Sequence, residues 1–295
     1  MKAPLEAYYR YMLQKGYSKC TLKSVESVLG LYGSWVRMNH NKSILEVTQS
    51  EVEEYLRYLR GSVSQGTLLY KLSILRVFYG YSLKESLILV NPVQGLESIP
   101  RRASLPRYVP SESVMMTLLN RAYGEGANEI RNRAIMELMY SSALRRMEVI
   151  GLDMRDIDVR EGVVYIRKGK GGKSRVVPVG REACRWIGMY LERVRPRYSI
   201  SSSEEPLFLT CKQNRISVRV IHRLFSKYGK DLNAPGKITP HTLRHACALH
   251  MLRCGAPIEK VQELLGHRSL DSTQIYTRLY PKDLKVAHAR YHPKG

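Results

Sequence analysis

The pentapeptide His241-Thr242-Leu243-Arg244-His245 is the most informative short stretch of the chain. A spacing of three places His241 and Arg244 one turn apart on the same face of a helix. The guanidinium offers a planar fork for two phosphate oxygens, and the imidazole exchanges a proton near neutral pH, so the pair suits gripping one anion. An isolated H-x-x-R is more often a packed histidine beside a surface ion pair. His241 and His245 also have the i, i+4 spacing of H-E-x-x-H zinc sites, but Thr242 stands where that motif needs its Glu, which argues against a metal.

Downstream, Leu265-Gly266-His267 closes a helical pattern, and Tyr276 follows nine residues after the histidine. A phenol with a pKa of about 10 is a feeble nucleophile unless a base takes its proton and cations stabilise the phenolate. Histidines and arginines can do both. Taken alone, Tyr276 is one of 20 tyrosines, with Tyr280 and Tyr291 as rivals, and reads as an amphipathic core residue. Upstream, Ser142-Ala143-Leu144-Arg145-Arg146-Met147-Glu148 puts Arg145 at a helix-to-helix junction with Glu148 one turn on, where the carboxylate could orient the guanidinium. By itself such a pair is mostly solvent-exposed and worth less than about 1 kcal/mol.

The elements that must position these residues fall into two parts. Residues 1–90 carry helical patterns only: Leu5 to Leu13; a helix capped by Ser18 with Val25, Val28, Leu31 and Trp35 on its stripe; a capping box at Thr48-Gln49-Ser50-Glu51 leading into Val52, Leu56 and Leu59; and Leu68, Leu72, Leu75 and Tyr79. Four helices make a bundle. Residues 91–110, with Pro92, Pro100, Pro106 and Pro110 among Arg101, Arg102 and Arg107, read as a basic linker.

From residue 111 the pattern is mixed. Helical stretches at Glu112 to Ala122 and Ile130 to Tyr140 precede three short β-type runs at 156–159, 163–166 and 175–179, which should form a small antiparallel sheet. Between the last two lies Lys168-Gly169-Lys170-Gly171-Gly172-Lys173, a glycine-rich turn that projects lysines. Helical patterns return at Arg181 to Val194, Ser217 to Tyr228, Pro240 to Arg253, Ile258 to Leu265 and Asp271 to Thr277. The fold class expected is mainly α with a small antiparallel β-sheet: an N-terminal helical bundle followed by a mixed α+β domain.

Composition narrows the partner. The 295 residues hold 48 Lys plus Arg against 26 Asp plus Glu, a net charge of +22. Such a surplus suits a polyanion that releases condensed counterions when neutralised, so nucleic acid leads anionic membrane or simple solubility. Both sides of the linker are basic, as expected of a clamp around a duplex, although a linker charged for solubility fits equally. No apolar run approaches the roughly 18–20 residues of a membrane span, and the N-terminus lacks the apolar core of a secretion signal. Five cysteines without C-x-x-C spacing suggest neither a disulfide framework nor a thiolate metal site, and fit a reducing cytoplasm.

In this order, the pieces resemble the tyrosine recombinases, the Xer-like and phage-integrase-like enzymes. The family's T-G-L-R-x-x-E stretch is similar to Ser142–Glu148, its G-K-G-x-K-x-R hairpin to Gly169–Arg175, its H-x-L-R-H to His241–His245, and its L-G-H and T-x-x-Y-T segments to Leu265–His267 and Thr273–Thr277. Any one of these is weak, whereas all four in order and spacing are not expected by chance.

The resemblance implies a site-specific DNA recombinase working through a 3′-phosphotyrosine intermediate in integration, excision or dimer resolution. It assigns Tyr276 as nucleophile, Arg145 and Arg244 as phosphate clamps, Lys170 as general acid to the 5′-hydroxyl, His241 as general base and His267 as a further phosphate ligand. It implies no cofactor or metal, a core-DNA-binding domain at 1–90, a catalytic domain at 111–280 and a tail at 281–295 that docks in trans. Partners would be double-stranded DNA with inverted-repeat core sites and a tetramer of this chain or with a paralogue, on the nucleoid in the cytoplasm. A type IB topoisomerase-like enzyme and a catalytically silent DNA-binding protein are the alternatives. Two departures stand out: Ala143 replaces the family's Gly, where a Cβ is hard to place if the turn needs positive φ, and Arg146 occupies a normally apolar position and is expected to face solvent or DNA.

Overall fold

The computed structural model describes residues 2–96, 108–167, 174–198, 206–230, 232 and 234–266. The expected helix at 271–277, the tail at 281–295 and three of the six candidate site residues, Lys170, His267 and Tyr276, lie outside these residues. The chain divides into two compact units, Met1–Ser104 and Leu105–Gly295.

In the first unit, helices α1 (Lys2–Gln14), α2 (Lys19–His40), α3 (Gln49–Arg60) and α4 (Gln65–Lys84) pack around an aromatic-rich core. Their starts are written in the sequence. The Ser18 and Ser64 hydroxyls accept from the Thr21 and Thr67 backbone N–H groups, and the Glu51 carboxylate accepts from the Thr48 N–H at 2.8 Å. Each such cap is worth about 1 kcal/mol. The buried stripe of α2 is not the expected one. Leu31 is 58% exposed, and Leu29, Tyr32 and Val36 face inward instead, because from Val25 these continue the 3.6-residue period while Leu31 falls off it. Tyr79 donates its hydroxyl proton to the Ile44 carbonyl at 2.8 Å and lies 2.9 Å from the Tyr32 hydroxyl, so two buried phenols satisfy each other.

The second unit is built on α6 (Ala127–Ser141), which is buried over Ile130–Met139 and therefore shows no polar face. Its charges are paired inside: Arg133 bonds Glu137 at 2.8 Å, its guanidinium lying 5.2 Å from the Trp186 ring centroid, and Arg131 donates to the Leu209 carbonyl. Around it stand α5 (Glu112–Asn120), α7 (Arg146–Gly151), α8 (Arg181–Met189), α9 (Val218–Tyr228), α10 (Pro240–Arg253) and α11 (Ile258–Leu265). The expected helix over 181–194 leaves the α-form at Tyr190, passes through a π turn at Tyr190–Val194, and ends in a 3₁₀ turn holding Pro196. The small sheet is antiparallel in the order β1 (Ile157–Asp158), β2 (Val163–Ile166), β3 (Arg175–Pro178), with Ile166 opposite Arg175. The architecture is mostly helical with one three-stranded sheet. Among the described residues no helix is long and apolar enough to cross a membrane.

Candidate active site

Helix α10 begins at a well-made cap. Thr239 accepts from the Thr242 N–H at 3.2 Å, and Pro240 takes the first helical position, where its missing N–H costs nothing. His241 follows, exposed, and one turn further Arg244 is only 5% exposed. A guanidinium so deep must be bonded. Arg244 donates through Nη1 to the Ala143 carbonyl and through Nη2 to the Leu265 carbonyl, two bonds that fix the plane of the fork.

The Ala143 carbonyl belongs to the turn that delivers Arg145. This turn does need the left-handed region: Ala143 has φ +48 and is fully buried. An L-residue there costs roughly 1–2 kcal/mol, and the Arg244 bond to its carbonyl helps hold it in place. Arg145 then stands in extended conformation at the N-cap of α7. Its backbone N–H donates to one Glu148 oxygen at 2.8 Å and its Nη1 to the other at 2.9 Å, which sets both backbone and side chain from a single carboxylate.

Glu148 has a second partner. Arg175, the first residue of β3, donates through Nη1 and Nη2 to the two Glu148 oxygens at 2.8 and 2.9 Å. Burial pushes the Glu148 carboxyl up, but the Arg175 hydrogen bonds, the Arg145 N–H and the charges of both guanidiniums outweigh it and hold the group below its ordinary range. The carboxylate is thus ionised and saturated. Arg175 also lies against Gly266: a Cβ built on that glycine would sit 3.3 Å from the Arg175 Cδ and Nε. Gly266 has φ +59 and caps α11, so glycine answers both the backbone and the close approach.

The two candidate clamps meet at this cap. Arg244 bonds the Leu265 carbonyl, and Arg145 donates through Nη2 to the adjacent Gly266 carbonyl at 3.3 Å. Side chains from α10 and from the start of α7 therefore reach neighbouring peptide groups, with Arg145 partly open to solvent. His267 follows these carbonyls in sequence, and Lys170 lies in sequence between β2 and β3, whose Arg175 is tied to Glu148. Of the six candidates the structure brings Arg145, His241 and Arg244 to one region; the other three are outside the described residues. Among the described residues no group of His, Cys, Asp or Glu is arranged to hold a metal ion.

Arg175 is the participant that residue-by-residue reading missed. Its signal was present as the last position of the Gly169–Arg175 hairpin motif, but nothing local links it to Glu148. Arg146, expected to face solvent or DNA, is half-buried along an open cavity between α9 and the start of α10, and its Nε is buried without a hydrogen-bond partner.

Comparison with known proteins fits this arrangement. The phage integrase family profile matches residues 111–283, and that of the phage integrase N-terminal SAM-like domain matches residues 5–86. The chain is 36% identical to tyrosine recombinase XerC of Thermodesulfovibrio yellowstonii over 95% of this chain and 93% of the relative, and 31% identical to tyrosine recombinase XerD of Ralstonia nicotianae over 96% and 91%. Among solved structures, XerA recombinase matches at 27% identity with a TM-score of 0.55, covering 98% of each chain. A lambda integrase dimer bound to a COC′ core site shares the fold at 16% identity with a TM-score of 0.73, covering 96% of each. With the buried arginine, the carboxylate-held arginine and the hairpin strand all on matched segments, the chain belongs to the phage integrase family of tyrosine recombinases.

Proposed function

We propose that this site-specific DNA recombinase cuts and rejoins strands with Tyr276 as nucleophile, Arg145 and Arg244 as clamps on the scissile phosphate, His241 and His267 as base and further phosphate ligand, and Lys170 as acid. The observation that carries the reading is the meeting of Arg145 and Arg244 on the consecutive carbonyls of Leu265 and Gly266.

The chemistry follows from the residue types. His241 takes the phenolic proton as the Tyr276 oxygen attacks phosphorus, the bond to the 5′ oxygen breaks, and that oxygen leaves as a 5′-hydroxyl with a proton from Lys170. One phosphoester bond replaces another, so a 5′-hydroxyl from a second strand can reverse the step without an external energy source. The pentacoordinate state carries more negative charge than the substrate diester, and guanidiniums already held in place by Glu148, Ala143 and Leu265 stabilise it without reorganisation. Their hydrogen bonds to protein keep the forks aimed; the charge does the catalytic work.

At the level of assembly, the reading is a tetramer on two DNA sites, each with inverted core arms, with the 1–90 bundle and the domain from 111 both contributing positive charge and residues 281–295 exchanged between neighbours. The place of action would be the nucleoid in the cytoplasm. Incubation with a supercoiled plasmid carrying two copies of the target site separates the readings: a recombinase yields exchanged products, whereas relaxed circles alone would indicate a topoisomerase, and unchanged plasmid a silent binder.

A further inference from the structure

Arg146 opens onto a cavity of about 330 Å³ between α9 and the entry to α10. Three cationic side chains line it, Arg146, Lys230 and Lys237, with the imidazole of His222 beside them. Phe225 and Ile238, both buried, supply apolar wall. Among the described residues that line it, none is acidic. Like charges gathered in one concavity repel, and field lines focused between low-dielectric walls raise the local concentration of anions.

The Arg146 Nε is shut away from water with no hydrogen-bond partner, an expensive arrangement for part of a charged group. Arg175 has a buried Nε without a partner too, but its Nη atoms are bonded to Glu148, as Arg133 is bonded to Glu137 and Arg244 to backbone carbonyls. An anion in the open cavity cannot reach that buried Arg146 Nε, but it meets the charge of the Arg146 guanidinium together with those of Lys230 and Lys237, which no acidic side chain of the cavity lining balances.

We infer that this cavity is a subsite for a second DNA phosphodiester, close along the strand to the scissile one. The inference rests on the proposed recombinase reading. Arg145 and Arg146 are consecutive, with Cα atoms about 3.8 Å apart, and diverge as the chain enters α7, so that one guanidinium reaches the Leu265–Gly266 cap while the other lines the cavity. In this reading, neighbouring phosphates of one strand go one to each guanidinium. Lys237, three residues before the Pro240 that opens α10, and Lys230 after α9 supply the remaining positive charge. The subsite sets register: a phosphate held here fixes which linkage lies before Arg145 and Arg244, as backbone contacts position a duplex without reading its bases.

The test is a methylphosphonate scan, in which each phosphate of a nicked target-site duplex is neutralised in turn, with binding measured for the wild type, Arg146→Leu and Lys237→Ala. Leucine suits the wall of Phe225 and Ile238, and Lys237→Ala, at an exposed position, guards against a folding defect in the first variant. The wild type is expected to lose about tenfold in affinity at one linkage within two positions of the scissile one, both variants to be insensitive at that linkage, and each variant to lower the slope of log affinity against log salt by about 1. An unchanged scan and slope in both variants, while the wild type still forms its covalent adduct, overturns the subsite and leaves the recombinase reading standing. If the wild type forms no adduct, the recombinase reading fails instead. Inorganic phosphate serves as the last arm: Arg146-dependent thermal protection by phosphate with an unchanged scan would assign the cavity to a free anion and likewise overturn the proposal.

Discussion

Glu148 and Arg175 form a bidentate pair across 27 positions of sequence, with both carboxylate oxygens accepting at 2.8 and 2.9 Å. The same oxygens hold the backbone and guanidinium of Arg145. One buried carboxylate thus connects β3, which follows the Lys170 segment in sequence, to the arginine proposed to grip the phosphate.

Glu148→Gln should therefore be costly. It removes the charge between two guanidiniums and turns an amide N–H₂ toward other donors, so unfolding free energy should fall by about 2–4 kcal/mol, the lower part of the range reflecting the partial exposure of both arginines. Because the folded carboxyl is held below its ordinary range, its contribution is fully present above the unfolded carboxylate pKa of about 4.3 and is lost as pH falls through the folded value. Denaturant titrations should show the gap between wild type and variant to be full near neutral pH and to narrow below about pH 4. A gap independent of pH would deny the pair its charge.

Ala143 predicts a steric asymmetry. Ala143→Gly relaxes the backbone at φ +48 but gives up a buried methyl and frees the unfolded chain, so the terms offset and stability should stay within about 1 kcal/mol. Ala143→Val adds a β-branch at positive φ in a fully buried place, and should cost 2 kcal/mol or more, about the sum of strain and overpacking. Thermal denaturation of the two variants checks this; equal effects would contradict the account of the turn.

Gly266→Ala should lower cleavage more than stability. A side chain at this left-handed cap costs roughly 1–2 kcal/mol. The new methyl also meets Arg175 at 3.3 Å, where the guanidinium must shift on Glu148. Single-turnover cleavage compared with the melting temperature separates the two effects, and a rate that merely follows stability would count against the coupling.

These outcomes bear on what was readable beforehand. The capping box at Thr48–Glu51, the Ser18 cap, the three β runs and nearly every helix followed from local sequence, since caps and amphipathic stripes are short-range matters. The stripe expected through Leu31 steps by three from Val25 and drifts off the 3.6-residue period, which runs through Leu29, Tyr32 and Val36 instead. The bend at Tyr190–Val194 was hidden, as a π turn keeps the helical pattern. At the site, His241 with Arg244 and Arg145 with Glu148 were legible because both are one-turn pairs. Arg175 with Glu148 and the shared Leu265–Gly266 carbonyls depend on chain segments far apart, which no local spacing encodes.

Arg145→Ala and Arg244→Ala should each slow cleavage by at least about 10²-fold, by analogy with lost oxyanion donors. DNA affinity should change far less, because it is summed over many phosphate contacts. Arg244→Lys is an informative companion: it keeps the charge but cannot bond both the Ala143 and Leu265 carbonyls, and should remain well below wild type. Gel-shift binding with single-turnover cleavage decides, and proportionate loss of both would reduce these residues to general binding.

Lys170→Ala should be rescued by a substrate whose 5′ leaving group needs no protonation, such as a 5′-bridging phosphorothiolate. A variant equally slow on both substrates would remove Lys170 from the acid role.

The most direct measurement is covalent capture on a nicked suicide duplex, resolved in denaturing gel. The wild-type chain should yield an SDS-resistant adduct whose peptide map places the 3′-phosphate on Tyr276, and Tyr276→Phe should yield none. An adduct formed by Tyr276→Phe, or a phosphate mapped to another residue, would contradict the account.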